Sequence, residues 1–188
     1  ERPITYPLDG GSNDEIAWLN DSAWSDIVAA RGTTLFARPV AHFFVRGFRS
    51  DGIDEFLAHI STIEAALGLP LDYDPRARRK IAGKNPGATC RVTLRISGLL
   101  KDGSFGKTYS KLYGLRSSFL HGKTMADISG DDRRSARALA REVVCALIGI
   151  ASANPLVNRE QLLDRLLDSG IQLNQHGEQS GSEVADGD

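Results

Sequence analysis

Arg91-Val92-Thr93-Leu94-Arg95-Ile96-Ser97 supports two readings, and the choice between them decides the fold. At period two, Val92, Leu94 and Ile96 alternate with polar neighbours, as in a strand with one buried face. At helical period, Val92, Ile96, Leu99 and Leu100 share one stripe, and Asn85-Pro86 supplies a cap followed by Pro at the first helical position. No other segment offers itself as a partner strand. The stretch is therefore expected to be helical and the chain all-α.

The flanking sequence follows the same rhythm. Upstream, Ile53, Phe56, Leu57, Ile60, Ile63 and Leu67 predict a helix from Gly52 to Leu67, with Gly68 as its stop. Residues 33–48 read as helical, with Pro39 starting or kinking the helix. Ile16, Leu19, Ala23, Ile27 and Ala30 form an earlier stripe that stops at Gly32, after an irregular lead-in over residues 1–13. Downstream of the Asp102-Gly103 turn, Ser104 is the expected cap of a helix carrying Phe105, Tyr109, Leu112, Tyr113 and Phe119, closed by Gly122. A longer helix is expected from Asp131 to Asn154-Pro155, and a last one over residues 155–168, stopped by Gly170. The expected organisation is an N-terminal helical extension (1–48), a helical bundle with that extension's helices added (49–173) and a disordered acidic and polar tail (174–188).

Composition is that of an ordinary globular domain: 188 residues, 41% apolar and 25% charged. The first residue is Glu1 rather than Met, which reads as a fragment or a processed chain. No apolar run approaches the roughly 18 residues of a membrane span, and no basic start with an apolar core suggests a signal peptide. Cys90 and Cys145 lie too far apart in sequence to suggest a disulfide scaffold. A reduced, cytoplasmic setting without a membrane is expected. The net charge of −1 conceals an asymmetry, because residues 75–126 carry twelve Lys and Arg against one acid, Asp102. Such a basic middle is either a footprint for RNA or another polyanion, or is compensated by acidic helices packed beside it.

Few motifs carry chemistry. Gly103-Ser-Phe-Gly106-Lys107-Thr108 lacks the earlier Gly of a phosphate loop, since that position is Lys101. His42, His59 and His176 show no metal-ligand spacing, so neither a metal nor another cofactor is expected. His59, inside a helix, is expected to be partly exposed. Glu64 is a lone carboxylate on an apolar helix, suited to pairing with a basic one. There remains Leu112-Tyr-Gly-Leu-Arg116-Ser117-Ser118-Phe-Leu-His121-Gly122. A guanidinium can grip a phosphodiester with two parallel hydrogen bonds, and an imidazole can move a proton near neutral pH. Five residues are a little under one and a half turns, so the pair diverges on a regular helix and converges only if His121 lies where the helix unwinds, as Gly122 would permit. From spacing alone, an exposed Arg and a C-terminal capping His is the better reading.

This segment resembles the signature of the HEPN superfamily, in its Apea-like branch: Leu-Tyr-x-x-Arg-Ser-x-x-x-His-Gly. The similarity extends more weakly over residues 52–153, and residues 83–87 depart from it as a local insertion. The resemblance implies a helical bundle that forms a homodimer and joins two Arg/His motifs in one cleft. It implies a metal-independent endoribonuclease that uses the RNA 2′-hydroxyl as nucleophile and leaves a 2′,3′-cyclic phosphate, acting in defence or stress response. His121 would then be the base or acid, Arg116 the phosphate clamp and Ser117 a supporting polar residue. The basic stretch would add Lys107, Lys111, Lys123, Arg91 and Arg95 as RNA contacts. An antitoxin, or further domains of a larger chain, would be its partners. Other members are non-catalytic dimerisation or nucleotide-sensing modules, which is the alternative reading.

Overall fold

The computed structural model describes residues 20–36, 38–76, 78–81, 83–122 and 128–182. Within them run seven α-helices: α1 (Asp21–Arg31), α2 (Arg38–Arg49), α3 (Gly52–Leu67), α4 (Ala88–Leu100), α5 (Gly103–Leu120), α6 (Gly130–Ala153) and α7 (Arg159–Ser182). Two 3-10 turns, Thr34–Phe36 and Pro70–Tyr73, link α1 to α2 and follow α3. The β pairing among the described residues is an isolated bridge between Ile81 and Lys84. The chain is an all-α bundle.

The ambiguous segment forms α4, the centre of the bundle, with α3, α5, α6 and α7 packed around it. Arg91, Val92, Leu94, Arg95, Ile96, Ser97, Gly98 and Leu99 are all buried there. A helix enclosed on every side need not keep polar residues on one face, so a two-residue alternation arises without a strand. The helix begins at Ala88 with Gly87 at its cap position, two residues later than the Asn85-Pro86 expectation. Asn85 is engaged elsewhere: its side chain donates to the Pro75 carbonyl (2.7 Å) and accepts from Arg78 Nε (2.6 Å).

α4 and α7 approach so closely that their contact admits no side chain. A Cβ on Gly98 would collide with the Leu166 carbonyl oxygen, and one on Gly170 with that of Leu94. Gly170 is therefore a buried packing residue and not the expected stop, and α7 continues to Ser182. That corrects the disordered tail for residues 174–182; residues 183–188 lie outside the described part. The last helix also starts later than expected, at Arg159, with Leu162, Leu163, Leu166 and Leu167 buried.

On the other side of the bundle, α2 lies on α3, and both α1 and α3 lie on α6. α1 is capped by Asn20, whose side chain accepts from the Ala23 N–H at 3.1 Å. The expected stripe positions Ile16 and Leu19 lie outside the described residues. His59 on α3 is wholly buried, which corrects the expectation of partial exposure. Gly47 of α2 makes room for it, since a Cβ there would stand 2.6 Å from the imidazole Cε1. Cys90 and Cys145 are exposed free thiols. No helix among the described residues is long and apolar enough to cross a membrane.

Candidate active site

The Arg/His segment occupies the second half of α5. Asp102 caps this helix, one oxygen accepting from the Ser104 N–H and the other from the Ser104 hydroxyl, both at 2.8 Å. The cap is thus Asp102, two residues before the expected Ser104. At the far end the His121 N–H still donates to the Ser117 carbonyl (3.1 Å), but the chain leaves the helix at Gly122, whose φ is +64°. This is the left-handed conformation that Gly adopts without strain. His121 is therefore the C-cap residue and is exposed, while Ser117 is half-buried.

Arg116 is turned toward the bundle. Its Nη2 lies 3.7 Å from Glu64 Oε2 on α3, an ion pair too long to be a hydrogen bond. Its guanidinium carbon stands 5.5 Å from the centre of the Tyr113 ring, a cation–π geometry. Tyr113 in turn leans on the buried Tyr109, ring centres 6.0 Å apart. Burial pushes the Glu64 carboxyl above the usual carboxylate range, and Arg116 opposes that shift. Burial, reinforced by Glu64, likewise raises the Tyr109 hydroxyl, which stays neutral. The pairing of Glu64 with a basic helix was legible in the sequence; Tyr109 and Tyr113 as neighbours of Arg116 follow from helical spacing, a signal that was read only as core.

The expected RNA contacts do not gather around this pair. Arg91 and Arg95 are 2% and 1% exposed and cannot touch a surface phosphate. Arg95 grips Asp72 with both terminal nitrogens and donates to the carbonyls of Leu67 (2.9 Å) and Leu163 (3.2 Å). Arg91 donates to the carbonyls of Pro86 and Arg79, and its Nε lies 3.9 Å from Asp72 Oδ1. The sequence reading of these two as phosphate ligands is corrected: they are the internal counterions of Asp72. Lys107 and Lys111 are exposed on α5, but at about 100° per residue Lys107 lies on the side of the helix opposite Arg116. Lys111 is moreover paired with Asp132 at 3.0 Å. Lys123 lies outside the described residues. Arg116 and His121 themselves diverge by about 140° around the helix, so one chain does not converge them through α5 geometry alone.

Chemically, the segment offers a guanidinium steadied by a carboxylate and a ring, and an exposed imidazole at the C-terminal end of a helix. Among the described residues no three His, Cys, Asp or Glu side chains come together as a metal site. No family model matches the chain, and neither a curated protein nor a solved structure does so.

Proposed function

We propose that this chain is a HEPN-type, metal-independent endoribonuclease that works as a homodimer. The observation that carries the reading is Arg116, half-buried between Glu64 and Tyr113, on the same helix whose exposed C-cap residue is His121. Arg116 would clamp the scissile phosphate and stabilise the charge that builds on it. His121 would take the proton from the 2′-hydroxyl or deliver one to the departing 5′-oxygen. Ser117, whose carbonyl secures the His121 N–H, would keep the cap in place. Because the two side chains diverge on one helix, a two-fold axis that faces one protomer's Arg116 with its partner's His121 would complete the site.

That same divergence favours a second reading, a dimerisation or nucleotide-sensing module without catalysis. Incubating the purified chain with mixed RNA in EDTA separates the two. The nuclease reading expects cleavage that EDTA leaves unchanged, products ending in a cyclic phosphate, and resistance of substrates with 2′-deoxyribose at the cut. His121→Ala and Arg116→Ala should each lower the rate by about 10²- to 10⁴-fold without loss of thermal stability. Arg116→Lys should fail as well, because an ammonium lacks the two-pronged contact. Full activity in the His121 variant would end the nuclease reading, and absence of cleavage by the wild-type dimer would leave the sensing module.

A further inference from the structure

The 3-10 turn Pro70–Tyr73 is held far more firmly than its exposed position requires. Its third residue, Asp72, is buried and takes both terminal nitrogens of the buried Arg95, with Arg91 beside it. The same carboxylate accepts from the Leu69 N–H at 2.9 Å, and Arg78 donates to the Asp72 carbonyl at 3.2 Å. A buried carboxylate with two buried guanidiniums is a costly way to fix four residues unless their position matters. What the turn presents is Tyr73, 65% exposed, immediately after the anchor.

Tyr73 lies over the C-terminal end of α3. Its hydroxyl is 3.9 Å from the point a Cβ on Gly68 would occupy, and the Gly68 N–H is bonded to the Glu64 carbonyl at 2.8 Å. The ring thus reaches across the end of α3 to the turn that carries Glu64, the partner of Arg116. Partial burial, with Glu64 and Tyr113 next in effect, raises its hydroxyl above the ordinary tyrosine value. An exposed aromatic ring, fixed by its backbone neighbour, thus stands at the end of the helix whose Glu64 pairs with Arg116.

Resting on the nuclease reading above, we propose that Tyr73 is a stacking platform for a nucleobase next to the phosphate held by Arg116, which makes the substrate single-stranded RNA. A base in a duplex is stacked between its neighbours, whereas an unpaired base can be splayed onto a protein ring. Tyr73 discriminates by strandedness and contributes binding, and it moves no proton.

The test uses a fluorescein-labelled oligonucleotide with 2′-methoxy groups, which presents the same bases without a nucleophile. Its binding to wild type, Tyr73→Ala and Tyr73→Phe is followed by anisotropy, as a single strand and annealed to its complement. The single strand should bind the wild type more tightly than the duplex does. Tyr73→Ala should weaken single-strand binding by about 5- to 150-fold, the range for one lost base stack, and Tyr73→Phe should restore it. Equal affinities in wild type and Tyr73→Ala overturn the proposal, as does a wild type that does not bind the strand or prefers the duplex. A Tyr73→Ala chain that loses self-association in sedimentation while binding the strand normally also overturns it, and makes the turn a contact between copies. Cleavage of mixed RNA, run in parallel, keeps the two readings apart. Tyr73-dependent binding without cleavage defeats the nuclease alone, and cleavage indifferent to Tyr73→Ala defeats the platform alone.

Discussion

His59 is wholly buried, with the Phe44 and Phe48 rings edge-on to it at 6.5 and 5.2 Å, and neither of its nitrogens has a hydrogen-bond partner. Burial lowers its pKa; Glu55 opposes that shift and Arg137 adds to it. The native state therefore keeps this imidazole neutral while the unfolded chain protonates near its ordinary value of about 6.5. Below that pH the unfolded state binds the extra proton, so this group makes stability fall as pH falls, by up to about 1.4 kcal/mol per pH unit, and leaves it flat above. Thermal unfolding between pH 7.5 and 5 should show that slope, and His59→Leu should flatten it; parallel profiles would count against a neutral His59. The buried Asp72–Arg95 pair makes a second expectation at this scale. Asp72→Ala strands Arg95 in the interior and should cost about 3–5 kcal/mol in urea unfolding. Arg79→Ala, which breaks the exposed pair with Asp168, should cost at most about 1 kcal/mol. Neither burial was read from the sequence, although a signal for His59 existed. It stands three residues after Phe56 and four before Ile63, inside the apolar face, and was outweighed by the usual exposure of His. For Arg91 and Arg95 the decisive partner, Asp72, belongs to a turn that no periodicity marks.

At the level of elements, glycine is the residue that one-dimensional reading handled worst. Gly68 and Gly122 end helices as expected, and Gly122 does so with the positive φ that justifies the residue. Gly170 gave the same local signal and means the opposite, because the carbonyl it must avoid belongs to α4, far away in sequence. Gly170→Ala should therefore destabilise by about 3 kcal/mol or more, since a backbone atom cannot yield as a flexible side chain can. Gly149→Ala on α6 is the control: nothing lies within 4 Å of its added methyl, and better helix propensity should stabilise by about 0.5–1 kcal/mol. Chemical denaturation of the two variants decides it, and a well-tolerated Gly170→Ala would mean that α4 and α7 do not touch as described. Helix existence and type were otherwise readable from Gly52 onward, because amphipathic stripes depend on local spacing. Helix starts were misplaced where a polar residue serves a loop, as Asn85 does, or where a cap lies further upstream, as Asp102 does.

Across the whole molecule, five of the twelve basic residues in the middle of the sequence are compensated from within. Asp72, Asp168, Asp132 and Glu64, all outside residues 75–126, neutralise Arg95 with Arg91, Arg79, Lys111 and Arg116. Of the two meanings the charge asymmetry had in the sequence, compensation accounts for these five residues. Binding to a single-stranded oligonucleotide should accordingly depend weakly on salt, with a log–log slope of about −1 to −3, as for a few phosphate contacts. A slope near −6 would reveal a basic surface that these ion pairs do not account for. Assembly is the other expectation at this scale. Sedimentation at micromolar concentration should give a homodimer, and a monomer there would remove the composite site.

The interlock of Gly98 with Leu166 and of Gly170 with Leu94 also has a bearing on how the chain is born. Translation delivers α4 well before α7, so this enclosed helix waits for its cover until Gly170 has been made. Until then the buried arginine that reaches the Leu163 carbonyl lacks one acceptor, and α5 rests on a support still open to water. A nascent chain ending after Asn158 should be expanded and readily cut by protease, while one that includes Ser182 should close. Whatever α5 carries thus gains its finished support only once α7 has been made and has closed over α4.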